Sequence, residues 1–218
     1  MEKRQLDIDI VSDIVCPWCI IGYQRLQQAL ILLEDSVEAN ITWHPFELAP
    51  NLGDEGENLR EFLAAKFGSS EDQAEQMRQH ITEQGAELGF TFNFKPNSMR
   101  YNTFRAHQLL AWAAAGEQQT ALKLALFKAY FTDNLNINSI DVLAQLADDV
   151  GLDRAQAHEV LEQSRYANDV RAAQQHWHTQ GINSVPSQIV QRKYLIQGAQ
   201  SPESIVKMLE QLMAEQTQ

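Results

Sequence analysis

Cysteine is nearly absent from this chain: Cys16 and Cys19 are the only two in 218 residues. A structural disulfide framework needs more cysteines, usually closing longer loops, so the pair is not a scaffold. A zinc site is excluded on similar grounds. It would want four ligands, yet there is no second cysteine pair, and His44, the nearest histidine in sequence, stands alone. Basic residues are also scarce: 17 Lys and Arg face 29 Asp and Glu, a formal charge of −12 with no basic block. That balance repels phosphate backbones and anionic membranes, so neither nucleic acid nor a membrane surface is an expected partner. Long apolar runs are missing, and charges interrupt each short one before it could span a bilayer. The stretch Met1–Asp7 has a basic pair but no apolar region or small-residue cleavage site, so a cytoplasmic location is expected.

What remains is ordinary globular material, 44% hydrophobic and 21% charged, enough to bury a sizeable core as one large domain or two intergrown ones. Leu6 to Val11 alternates apolar and polar residues as a strand does. From Trp18 to Leu33, Ile21, Leu26, Ala29, Leu30 and Leu33 fall near helical spacing, and Pro17 suits a first helical turn. Ala39 to Leu48 reads as a second strand ending near Pro45. Strand, helix and strand make the first half of an α/β unit.

From Asn58 to about Gln180 the pattern becomes helical, with Pro96 the only proline. Asn58 with Glu61, Ser70 with Gln73 and Asp153 with Gln156 resemble capping boxes. Further helices are predicted over 102–115, 117–131, 139–150 and 166–180, with Trp112 and Trp177 as core residues. Strand signals return at Ser187–Val190 and Tyr194–Ile196, separated by three residues that suit a hairpin, and a last helix starts at Ser201-Pro202-Glu203. The economical architecture is α/β: one mixed sheet, with an all-helical domain inserted between its second and third strands.

Cys16 ends a strand and Cys19 lies one helical turn on, so the two sulfurs fall within disulfide reach at a helix N-terminus. Unpaired N–H groups there favour a thiolate on the first cysteine. Cys16 is therefore the expected nucleophile and Cys19 the resolving thiol, with Pro17 and Trp18 tuning the pair without adding charge. Ser184-Val185-Pro186-Ser187 precedes the third strand, where a proline as first strand residue is common.

At these residues the sequence resembles the DsbA family, and more closely its FrnE-like branch, related to 2-hydroxychromene-2-carboxylate isomerases and kappa-class glutathione transferases. The resemblance spans nearly the whole chain. It rests on Ser12-Asp13-Ile14-Val15-Cys16-Pro17-Trp18-Cys19-Ile20-Ile21-Gly22, Pro45-Phe46-Glu47-Leu48, Asn102-Thr103-Phe104-Arg105-Ala106-His107, Ser184-Val185-Pro186 and Gly198-Ala199-Gln200-Ser201-Pro202. It implies a thioredoxin-like domain made of residues 1–56 and 181–218, a helical insertion over 57–180, and a redox-active cysteine pair. It also implies a cis Val185-Pro186 bond facing the disulfide, with Val185, Pro186 and Trp18 contacting substrate. Many relatives have a proline where this chain has Tyr101, and an aromatic where it has Ser187.

Pro17, Asp13, Asn102 and His107 are candidate supporting residues. Asp13 reads either as a turn former or as a proton relay to Cys19. Asn102 reads as a helix cap or a substrate contact, and His107 as a satisfied, partly buried histidine or a base. The leading expectation is thiol-disulfide exchange with cysteine-containing polypeptides or small thiols, using no bound cofactor beyond the redox-active disulfide itself. Glutathione is an expected reductant or co-substrate. Two other classes stay open: a glutathione-dependent isomerase or transferase, and a non-enzymatic holdase or redox-sensing module.

Overall fold

The computed structural model describes residues 3–68 and 70–215. Strand β1 (Arg4–Ser12) lies at the centre, and the alternation seen in its sequence has a direct use. Leu6, Ile8 and Ile10 point into the main core, while Val11 points the other way, into a smaller cluster with Trp177, Ile182 and Ile189. Helix α1 (Pro17–Leu32) follows, then β2 (Val37–Pro45), which runs parallel to β1 from Arg4 opposite Val37 to Ser12 opposite Pro45. The chain then leaves the sheet.

Next come β3 (Glu57–Asn58), α2 (Leu59–Phe67), α3 (Glu71–Glu87), β4 (Met99–Arg100) and α4 (Phe104–Ala113). They are followed by α5 (Gln119–Phe131), α6 (Ile140–Asp149), α7 (Arg154–Glu162) and α8 (Ala167–Thr179). The caps read from sequence do their work. Ser70 and Gln73 form a full reciprocal capping box, Asn58 accepts from the N–H groups of Arg60 and Glu61, and Asp153 accepts from that of Gln156.

The insertion is not all-helical, however, because β3 and β4 pair antiparallel within it. Two-residue strands have no alternation to read. Helices α4 and α5 each begin two residues later than predicted. Asn102 uses its side chain to accept from the Phe104 N–H at 2.8 Å, and Glu117 takes a left-handed φ of 65° that helical backbone does not allow.

The sheet is completed by β5 (Ser187–Val190), antiparallel to β1, and β6 (Tyr194–Gln197), antiparallel to β5, giving the order β2-β1-β5-β6. Gln191 and Arg192 between them have φ of 52° and 54°, the mirror-image turn that a tight hairpin prefers. Helix α9 (Pro202–Glu215) packs on α1.

The core is continuous from the sheet into the insertion. Where β2 would otherwise show a bare edge, Gln119 of α5 closes it. Its amide accepts from the Trp43 N–H at 2.9 Å and donates to the Trp43 carbonyl at 3.0 Å, as a neighbouring strand would.

Candidate active site

Cys16 is the N-cap of α1, with Pro17 as its first helical residue, and the Cys19 N–H donates to the Cys16 carbonyl at 3.0 Å. The helix therefore holds both sulfurs on one turn as a free dithiol, hydrogen-bonded to each other. Cys16 retains 5% exposure and Cys19 1%. The groove over Cys16 is bordered by Val185, whose carbonyl lies 3.9 Å from the Cys16 sulfur. The Val185-Pro186 bond is cis, as the resemblance implied.

Several contacts hold the proline there. The Gly198 N–H donates to the Pro186 carbonyl at 2.8 Å, and Arg25 of α1 donates to the Ala199 carbonyl at 2.6 Å. Gly22 lets the helix approach closely, since a Cβ there would stand 3.2 Å from the proline ring. Trp18, half-buried, forms the other rim with its ring 5.8 Å from that of His80 on α3. Pro17 is half-buried beside it.

Beneath the pair, Asp13 is fully buried. One oxygen accepts from the Ile14 N–H and the other from the Leu48 N–H, both at 2.7 Å, so the carboxylate ties the end of β1 to the segment after β2. Burial pushes its pKa up, but the bond and charge of His107 and the Leu48 N–H outweigh that, and it lies below the usual carboxylate value. His107 is 3% exposed, with Nε2 3.3 Å from Asp13 and 2.9 Å from the Phe46 carbonyl. A carbonyl only accepts, so Nε2 carries the hydrogen that it donates. Half-buried Asn102, just before the N-cap Thr103, accepts from the Phe104 N–H that opens α4 and donates to the Leu52 carbonyl at 3.1 Å. Asp13 and His107 thus meet below the cysteines, while Asn102 is engaged with backbone.

Lys123 of α5 escaped the sequence reading. It is 0% exposed, and its ammonium has no hydrogen-bond partner among the described residues. The signal was present but weak: a lone cation in Ala121-Leu122-Lys123-Leu124-Ala125-Leu126-Phe127, on the face shared with Gln119 and Phe127. Its Nζ stands 5.3 Å from the Trp43 ring and 5.0 Å from that of Phe127. Burial lowers it to about 8, against the pull of Cys19, Asp13 and Cys16.

The two thiols ionise as a pair. Burial raises Cys19, but the hydrogen bond from Cys16, the charge of Lys123, the Ser12 hydroxyl and the Asp13 N–H together bring it below the ordinary thiol value. Cys16 is pushed well up, first by the hydrogen bond that it gives to Cys19, then by burial and the Cys19 charge. The Cys19 N–H opposes this, and the charge of Asp13 adds to it. One cause of the lowering at Cys19 is long-range: the cation comes from a helix about a hundred residues away.

A cleft of about 320 Å³ also lies in the insertion, lined by Phe94, Lys95, Met99, Tyr101, Tyr130 and Asn134 among others, with neither cysteine in its walls. The Cys16 sulfur lies elsewhere, beside Val185. Among the described residues no cluster of side chains suits a metal ion, and no helix is long and apolar enough to cross a membrane.

A dithiol on the first turn of a helix, closed by a cis proline leading into the adjacent sheet, defines a thioredoxin-like redox protein. Residues 7–210 match the DSBA-like thioredoxin domain, and the chain belongs to that family. It is 30% identical to the probable DsbA oxidoreductase of Streptomyces coelicolor, with a TM-score of 0.91 over 96% of this chain and 91% of that one. An uncharacterised Bacillus subtilis protein, YwbO, is 27% identical over 84% of this chain and 86% of its own. The fold is also that of the cytosolic disulfide reductase DsbM of Pseudomonas aeruginosa, solved with GSH. There the identity is 16% and the TM-score 0.63, over 95% of this chain and 99% of that one.

Proposed function

We propose that the chain is a dithiol-disulfide exchange enzyme of the FrnE-like kind, acting on cysteine-containing polypeptides or small disulfides. The observation that carries this reading is the Cys16 sulfur, 3.9 Å from the Val185 carbonyl in the groove. An extended substrate peptide that pairs with the Val185 backbone brings its disulfide onto that sulfur.

Cys16 passes its proton to the Cys19 thiolate and attacks one substrate sulfur; an S–S bond forms to Cys16, and the other substrate sulfur leaves with the electron pair and takes a proton from water. Cys19 then loses its proton to water and attacks Cys16, closing the Cys16–Cys19 disulfide and releasing the second substrate sulfur, which takes a proton in turn. Two electrons and two protons go to the substrate, and the reverse sequence oxidises a dithiol. A small thiol such as glutathione restores the reduced pair in a cytoplasmic setting. The presence of GSH with DsbM, which shares this fold, supports testing that reductant first.

Turnover of a model disulfide, with dithiothreitol and then with glutathione as reductant, tests the reading. Wild type should turn over and Cys16→Ser should not. Cys19→Ser should stop at a mixed disulfide on Cys16, visible as a mass adduct. Absence of both turnover and adduct in folded protein rejects the proposal.

A further inference from the structure

We propose that Lys123 is the positioning cation of this dithiol: its buried ammonium stabilises the thiolate charge of the Cys16/Cys19 pair, so that the helical insertion supplies an electrostatic part of the redox centre. The inference deepens the exchange reading and rests on it for its use in turnover.

Stability does not explain the residue. An ammonium out of water with no hydrogen-bond partner costs several kcal/mol, and exchange for a well-packed apolar side chain is often neutral or stabilising. The faces of Trp43 and Phe127 offset only part of that. An opposite charge close by would offset more.

Two independent paths lead from Lys123 to the cysteines. The Trp43 ring beneath its ammonium packs against Tyr23 at 5.0 Å, and Tyr23 stands one helical turn beyond Cys19 on the same face of α1. On the other side, a cavity of about 30 Å³ is lined by Lys123, His107 and Gln119, and His107 reaches Asp13 directly below the pair. The charged and titratable groups around the ammonium are Cys16 at the N-cap of α1, Cys19 of α1, Asp13 after β1, His44 of β2 and His107 of α4, with Tyr23 behind the Trp43 ring and Tyr130 on the far side of Asp13. His44 is lowered by burial, and its ring nitrogen already bonds Asp9 at 2.7 Å. Tyr23 and Tyr130 are raised by burial and stay neutral. The negative partners left to Lys123 are Asp13 and the thiol pair.

The cation favours both ends of the exchange. In the reduced protein it stabilises the monoanion of the pair, whose one charge moves to Cys16 as Cys16 passes its proton to the Cys19 thiolate. In the resolving step Cys19 gives that proton up to water, and the cation stabilises the thiolate left behind, which attacks the Cys16 sulfur. The new S–S bond forms, the bond from Cys16 to substrate breaks, and the departing sulfur takes a proton from water. Lys123 keeps its own proton throughout.

The test is the thiolate absorbance of the reduced protein near 240 nm, titrated in wild type and in Lys123→Met, which keeps length but not charge. The first ionisation should rise by about one to three pH units, the range an adjacent opposite charge produces. Release of a thiol preloaded on Cys16 should slow at least about tenfold at pH 7 and recover as the pH is raised. The Lys123→Met protein should melt no lower than wild type. An unchanged first ionisation overturns the proposal, whatever happens to stability.

A second measurement needs no variant. With 13C-labelled lysine, the Lys123 pKa should be higher in the dithiol than in the disulfide form, because only the dithiol adds a thiolate charge to that of Asp13. Equal values overturn the proposal. Neither titration uses a substrate, so loss of the exchange reading would show as absent turnover in wild type and be told apart from failure here.

Discussion

Gly22 stands against Pro186 so closely that a Cβ on the glycine would lie 3.2 Å from the proline Cγ and 3.5 Å from the Ala199 backbone. The contact welds the helix bearing the cysteines to the loop bordering their groove. Gly22→Val should overpack it and cost about 1–3 kcal/mol, measured by denaturant unfolding, with slower exchange than wild type. A variant with full stability and turnover would mean that the loop yields without consequence.

Alkylation should separate the two thiols. Iodoacetamide near pH 7 should reach Cys16 first, because it faces the groove while Cys19 lies beneath it. Its rate should climb in two steps. The first falls below the ordinary thiol value, as the shared charge forms, and the second well above it, as the other proton leaves. Peptide mapping that finds the first label on Cys19 would reverse the roles.

Asp13 carries an acid-sensitive part of the stability. Its folded pKa lies below the unfolded value of about 3.9, so the stability it adds is present above that pH. It is lost as the pH falls through the folded value. Asp13→Ala would leave the Ile14 and Leu48 N–H groups without their acceptor, at about 2–4 kcal/mol near pH 7. Asp13→Asn keeps the shape but not the charge, and its deficit against wild type should shrink between pH 5 and pH 3. Unfolding midpoints across that range decide the matter, and a constant deficit would count against the assignment.

Gln119 should matter more than a polar helix residue normally does. Gln119→Ala removes both bonds to Trp43 and the one to the Leu110 carbonyl, at an expected cost of about 1–3 kcal/mol in denaturant unfolding. A change under about 0.5 kcal/mol would place it among ordinary surface substitutions.

Local patterns carried the reading of the sequence furthest. The alternation of Leu6, Ile8 and Ile10, the Ser70–Gln73 box and the Cys16-Pro17-Trp18-Cys19 turn each report on a few adjacent residues, and each has its expected form. The resemblance added the cis bond before Pro186. Illegible were features made by distant segments: the β3–β4 pairing, the approach of Gly22 to Pro186, and above all Lys123. A lysine in an Ala- and Leu-rich helix reads as a solvated position. Only the docking of α5 against Trp43 reveals that its charge is buried.

The bridge from Gln119 to Trp43 has one more consequence. An exposed strand edge is a template on which other chains can assemble. In this molecule the helix that covers the edge of β2 also delivers the ammonium of Lys123. Detaching α5 would open a seam for intermolecular β-pairing and strip the counter-charge from the dithiol in one motion. Protection against self-association and the electrostatics of the thiol pair are thereby tied to a single docking event.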